Sequence, residues 1–255
     1  MLNFCVYYGW LTIIHDWSPY DFVIFVDTHP ARRDRLEDLL AEVPETYFYL
    51  DAKSISQQRK PFEDLLEELD RLKVSGVFLD RFNTRELVED VVLFSIQSLR
   101  SRNFKIIGNG EIEPQYFPLI DYYMCEGFLG SYVGRPDDFQ LEFAQFTPTE
   151  IKIRQLKNKG ARMIAISYGE EENLKQERYC YLAALLFDFE AFCYAHPSLM
   201  IPYVRKVHYN LGDPLDRYHL KKGKFIREFE FGTVIIDPSK RQGFVTQKGQ
   251  ESSRE

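Results

Sequence analysis

Long apolar runs are missing from this chain of 255 residues. No window approaches the roughly 18 consecutive apolar residues of a membrane-spanning helix, so no transmembrane segment is expected. Cysteine is scarce. Cys5, Cys125, Cys180 and Cys193 stand far apart, each inside an apolar run. Without paired CxxC spacing, a zinc ribbon or redox motif is not expected, and the four read as buried thiols. The five histidines are scattered, and neither HxH nor HExxH occurs, so the usual zinc-hydrolase patterns are gone. The nearest ligand pair, Cys193 and His196, is too little to hold a metal, and no cofactor is expected. GxSxG is absent, and with it the usual esterase serine.

Positive charge is also in deficit. Lysine and arginine number 32 against 39 aspartates and glutamates, a formal charge of −7. Nucleic-acid phosphates want a basic surface, so nucleic acid is not an expected partner. The start of the chain lacks a basic n-region and a long apolar h-region. The protein is therefore expected to be cytoplasmic as the sequence stands, or secreted or periplasmic if a leader has been removed. No oligomeric state is read from the sequence.

What is present is ordinary for a globular protein: 45% apolar and 28% charged residues. A chain of this length buries about 70–75% of its unfolded surface and needs no disulfide or metal for stability. The 21 phenylalanines and 16 tyrosines exceed what a core requires.

Short apolar runs alternate with amphipathic stretches. The runs cover residues 4–8, 22–27, 46–51, 76–80, 105–109, 122–126, 162–167 and 189–195. Helical patterns cover 31–43, 61–73, 85–101, 149–159 and 173–188, with a short helix at 114–120. The runs are continuous rather than alternating, as in parallel strands covered on both faces. Eight strand–helix repeats suggest a (β/α)8 TIM barrel. Its first helix is degenerate, because residues 10–21 show no helical pattern. The rival is a doubly wound open sheet, but no GxGxxG follows the first strand. A β-hairpin extension is expected around Gly232. Residues 1–238 then form a single barrel with its hairpin, and 239–255 a polar, disordered tail.

In such a barrel the active site lies at the carboxyl ends of the strands. The strand ends carry Asp27, Asp51 and Lys53, Asp80, Asn109, Glu126, Tyr168 and His196. In SGVFLDRFNT (residues 75–84), Asn83 with Glu86 fits a capping box, which leaves Asp80 without a capping role. An ion pair with Lys53 is its other structural role. Glu126 is followed by Gly127, which permits a sharp turn. Asp80 and Glu126 could flank a glycosidic bond. Tyr8, Trp10, Trp17, Phe82, Phe128, Tyr132 and Tyr168 lie at or past strand ends, where rings could meet sugars. A phosphate-binding barrel is disfavoured by the acidic YGEEE after the seventh run.

SGVFLDRF resembles the "DGVFLD" signature of barrels related to the endo-α-1,4-polygalactosaminidases (glycoside hydrolase family 114). DYYMCEGF resembles the "vDgv…E" segment of the same group, and YYGWL and YDFVIFVD resemble its first two strands. REFEFGTVIIDPS resembles the "R.F.nG.VlvNPs" ending of related hypothetical glycosyl hydrolases, with Asp237 where Asn is more usual. The resemblance spans residues 3–239 and implies a carbohydrate-active barrel acting on an amino-sugar polymer. By analogy, Asp80 would be nucleophile and Glu126, in an apolar and aromatic setting, acid/base. Tyr8, Asp27, Asp51, Lys53, Asn109 and Tyr168 would bind substrate. The alternative is a non-catalytic carbohydrate-binding or structural TIM-barrel protein.

Overall fold

The structure is a computed structural model that describes residues 3–4, 6–9, 22–25, 39–52, 59–85, 87, 89–133, 140–196 and 209–247. The first run forms β1 (Asn3–Phe4) and β2 (Val6–Gly9). Next come β3 (Phe22–Phe25), β4 (Glu45–Asp51), β5 (Gly76–Asp80), β6 (Lys105–Gly108) and β7 (Tyr122–Glu126). A small antiparallel hairpin, β8 (Ser131–Val133) and β9 (Gln140–Glu142), precedes β10 (Met163–Tyr168) and β11 (Ala191–Ala195). Apart from that hairpin, these strands make one parallel sheet. Asn3 pairs with Ala191 of the last strand and Val6 with Phe22 of the next, so the first run closes the sheet into a barrel.

Successive side chains alternate between the two faces of each strand. Tyr47, Phe78, Ile107, Met124 and Ile166 fill the barrel. Phe48, Val77, Leu79, Ile106 and Ala165 face the surrounding helices. Both faces are thus apolar, which is why the runs read as continuous. The helices are α1 (Arg59–Leu72), α2 (Glu89–Ser101), α3 (Phe146–Asn158) and α4 (Leu174–Leu186), with a 3-10 turn at Pro114–Leu119. Leu69 of α1 and Leu99 of α2 are wholly enclosed, and each such leucine contributes about 1.5–3 kcal/mol.

At the entry end of the strands, polar groups close the barrel floor. Lys105 Nζ donates to Glu45 Oε1 at 2.7 Å, and the Tyr47 hydroxyl donates to the same carboxylate. Arg162 lies 4.8 Å from the Tyr122 ring centroid and donates to Glu190 at 3.2 Å.

Several elements differ from expectation. The helix expected over 85–101 begins at Glu89. Asn83 does not cap it. Its Oδ1 accepts from the Glu111 N–H at 2.8 Å, and the Thr84 hydroxyl accepts from the Glu113 N–H at 2.9 Å. Long-range backbone donors win these acceptors over a local cap. Residues 10–21, where the first helix was expected to be degenerate, lie outside the described residues. So do residues 31–38 of the next helix, while 39–42 are helical.

The expected hairpin is the middle of a four-stranded antiparallel sheet: β12 (His219–Lys221), β13 (Lys224–Phe229), β14 (Gly232–Asp237) and β15 (Gln242–Gln247). Residues 242–247, expected to lack structure, pair along the whole of β14. Gly243 makes this possible, since a Cβ there would lie 2.8 Å from Leu182 of α4. Arg227, only 7% exposed, fastens the sheet to the barrel. Its Nη1 donates to the Leu185 and Leu186 carbonyls at 2.9 and 3.3 Å, and its Nη2 to Asp188 at 3.2 Å. It thereby satisfies the Leu186 carbonyl, which, among the described residues, the end of α4 leaves without a backbone donor, and adds to the Asp188 N–H that already reaches the Leu185 carbonyl at 3.2 Å. The tail motif is a structural fastening.

Arg227→Ala should lower the unfolding free energy by about 1–3 kcal/mol, because it leaves the buried Leu186 carbonyl without a donor; urea denaturation reads the loss. A second expectation concerns alkali. Burial pushes the Cys180 thiol from 9.0 up to about 12. A folded pKa above the unfolded one gives stability that is present below pH 9 and lost as pH rises toward 12. Melting temperature should fall across that window, and Cys180→Ala should flatten the fall.

Candidate active site

The alternation that fills the barrel also delivers its exit-end residues. In β5, Phe78 points in and Leu79 out, so Asp80 points in. By the same rule Asp51 follows Tyr47 and Tyr49, Glu126 follows Tyr122 and Met124, and Tyr168 follows Ile164 and Ile166. Asn109 follows inward Ile107 just past β6.

These side chains meet. The Asn109 amide Nδ2 donates to Asp80 Oδ1 at 3.1 Å and to Glu126 Oε2 at 2.8 Å. The Tyr49 hydroxyl donates to Asp80 Oδ2 at 2.8 Å, and the Tyr168 hydroxyl to Glu126 Oε1 at 2.6 Å. Each carboxylate therefore accepts two hydrogen bonds, one from a tyrosine and one from a shared amide. An amide NH2 offers two donors diverging by about 120°. The two bonds of Asn109 thus bring one oxygen of each carboxylate to a single nitrogen.

Backbone contacts fix Asn109 in turn. Its N–H donates to Leu79 O at 2.9 Å, and its carbonyl accepts from the Phe82 N–H at 2.8 Å. The second bond requires a sharp turn after Asp80. Arg81 supplies it with a left-handed backbone, φ +51°, costing roughly 1–2 kcal/mol in a residue with a Cβ. Arg81 also forms an ion pair with Asp51, the residue in register with Asp80 on β4.

Tyr132, from β8, packs edge-on against Tyr168 with ring centroids 5.0 Å apart. Burial first, and then the Glu126 carboxylate, push the Tyr168 hydroxyl well above its ordinary value. Burial and the Glu126 and Asp80 carboxylates raise Tyr132 as well. Tyr168 is thus a fixed donor to Glu126.

Asp80, Asn109, Glu126 and Tyr168 are joined by hydrogen bonds, and Asp51 stands beside Asp80 on β4, tied to Arg81. Tyr8 lies on β2, but its side chain, Asp27 and Lys53 are outside the described residues, as are Trp10 and Trp17. Phe82 and Phe128 are 2% and 1% exposed and pack outside the barrel, so neither offers a ring face to a ligand. Glu126 does not sit in an apolar enclosure. It is exposed, whereas Asp80 is half-buried. Both acids end a strand at a left-handed turn, and they differ in their surroundings: the residue before Asp80 is buried, whereas Cys125 before Glu126 is already half-buried. Tyr49 was missed. Its signal was its inward position two residues before Asp51. Among the described residues no group of three or more His, Cys, Asp or Glu could hold a metal, and no helix is long and apolar enough to cross a membrane.

No family model matches the chain, and no curated protein does. Solved structures do. The glycoside hydrolase domain of PelA from Pseudomonas aeruginosa superposes with a TM-score of 0.53 at 16% identity, over 79% of this chain and 98% of that domain. A variant of the same domain gives 0.54 with the same identity and coverage. RipC from Yersinia pestis is more remote, with a TM-score of 0.45 at 11% identity, over 82% of this chain and 99% of that one. The likeness to the PelA domain shows a shared TIM-barrel-like fold.

Asn109→Leu keeps similar bulk and removes one donor from each carboxylate. It should lower stability by about 1–2 kcal/mol; chemical denaturation of the variant checks this.

Proposed function

We propose that the chain is a glycoside hydrolase that uses Asp80 and Glu126 as its carboxylate pair. The observation that carries this reading is the Asn109 amide donating to both acids across the barrel mouth. Carboxylates about 5–5.5 Å apart suit a retaining mechanism, and those about 6.5–9.5 Å apart an inverting one. Two acids close enough to share one amide nitrogen fit the shorter separation better than the longer, which favours retention.

Asp80 acts as nucleophile. It is half-buried and oriented by Tyr49 and Asn109. Glu126 acts as acid/base, first giving a proton to the leaving oxygen, then taking one from water. Its exposure supports that role, since the second step needs water beside it. The likeness to the PelA domain supports the reaction class, and the sequence resemblance points to an amino-sugar polymer. Asp80 and Glu126, neither of which faces a cation among the described residues, would favour a cationic amino group. Asp51, Asn109 and Tyr168 contact the sugar in this reading, together with Tyr8, Asp27 and Lys53.

Release of reducing ends from a galactosamine polymer and from mixed glycans tests it. Asp80→Asn and Glu126→Gln should each cut turnover by about a thousandfold while the melting temperature changes little. Saturable glycan binding without turnover by the unaltered protein would instead identify a carbohydrate-binding barrel.

A further inference from the structure

Among the described residues, two cavities are formed away from the carboxylates. The larger, about 470 Å3, gathers Arg154, Lys157, Arg217 and Arg227 where α3 and α4 end. Three of these cations are engaged. Arg227 and Lys157 meet Asp188 and carbonyls at the end of α4, and Arg154 lies 3.6 Å from Glu150. Cations are favoured at helix C-termini, so the helix ends account for this cavity's charge.

The smaller cavity, about 240 Å3, has a different composition. It lies between the first turns of α4, the chain just after β9, and the turn joining β14 to β15. Lys175, Lys240 and Arg241 line it, and no carboxylate does. Among the described residues, none of these three side chains forms an ion pair. Glu142, Glu171 and Glu172 flank lining residues in the chain without lining the cavity themselves, and the buried acid of the β14–β15 turn, Asp237, feels the Lys240 charge but is held mainly by local donors. It accepts from the Ser239 hydroxyl at 2.6 Å and the Lys240 backbone N–H at 3.3 Å, and it lies 3.8 Å from Lys224 Nζ. Arg241 is held over the Phe143 ring, 4.9 Å from its centroid.

Gln176, 8% exposed, is part of the lining. Its Nε2 donates to the Tyr168 carbonyl at 3.3 Å, and its Oε1 accepts from Asn173 at 3.0 Å. Tyr168 is the residue whose hydroxyl holds Glu126. The cavity therefore backs onto the wall of the carboxylate site, at the same end of the barrel.

The three cations are solvent-exposed, so their mutual repulsion is screened, but an anion between them would gain from all three at low salt. We propose that this cavity binds a single acidic group, a carboxylate, sulfate or phosphate, on a body no larger than one sugar unit. The volume argues for that size, because pockets for whole drug-sized ligands run roughly 300–1,000 Å3. Phe143 and Tyr179 supply an aromatic wall for the body. The inference does not depend on the hydrolytic reading.

Calorimetric titration at low salt tests it, with glucuronate, inorganic sulfate and glucose as probes. Glucuronate and sulfate should compete for one site, and glucose should not bind. The pair Lys175→Ala and Arg241→Ala should weaken both anions by about tenfold or more, and Lys240→Gln alone should weaken them less. Unchanged circular dichroism melts for these variants keep the comparison valid. Sulfate binding without glucuronate binding would still support an anion site and assign it to free inorganic anions. Saturable binding of neither anion, or binding unchanged in all the variants, would overturn the proposal.

Discussion

Closure of the parallel sheet by its first run is the constraint on which the rest depends. Asn3 and Val6 stand three residues apart, yet one pairs with the last strand and the other with the second. Were the sheet open, Tyr47, Phe78 and Ile107 would need a second layer of helices to cover them. Closed, they cover one another. Polar groups are then driven to the two ends. Glu45, Lys105, Arg162 and Glu190 take the entry end, and Asp51, Asp80, Asn109 and Glu126 the exit end. The acids converge because the barrel leaves them nowhere else to point.

Convergence alone would set like charges against each other. The Asn109 amide prevents this by giving each carboxylate a donor. An aspartate there would add a third acid, and an apolar residue would supply no donor. The amide's reach is short, so its backbone must be fixed, and Leu79 O and the Phe82 N–H fix it from the end of β5. The left-handed turn at Arg81 is what lets Phe82 reach back. One strained residue therefore sets both the path of the chain after Asp80 and the spacing of the acids.

Much of this was legible in the sequence. The bounds of β5 and β7 follow from apolar runs flanked by turn residues, and the inward direction of Asp80 follows from Phe78 two positions earlier. What was not legible depended on distant partners. Asn83 and Glu86 match a local capping pattern, but Glu111, far along the chain, takes the Asn83 acceptor. Tyr49 reads as core from its neighbours, and only the register of β4 with β5 brings its hydroxyl to Asp80. Phe82 and Phe128 sit past strand ends like Tyr132, yet both turn into the helix layer. The strand at 242–247 is polar at both ends, and its order comes from pairing with β14 over α4.

Within the proposed reaction, the hydrogen bonds do not distinguish the two acids, since each receives one tyrosine and one amide donor. Position in the barrel does. Asp80 follows Phe78 on a strand whose other residues are wholly buried, while Glu126 closes a strand that runs straight into a glycine turn. A nucleophile gains from being held, because misplacement of the attacking oxygen by about 1 Å is costly. An acid/base must exchange protons with both a sugar oxygen and water, so it gains from an open side. The same barrel end thus offers a fixed carboxylate and an accessible one, and the difference lies in how deeply the last residues of each strand are covered.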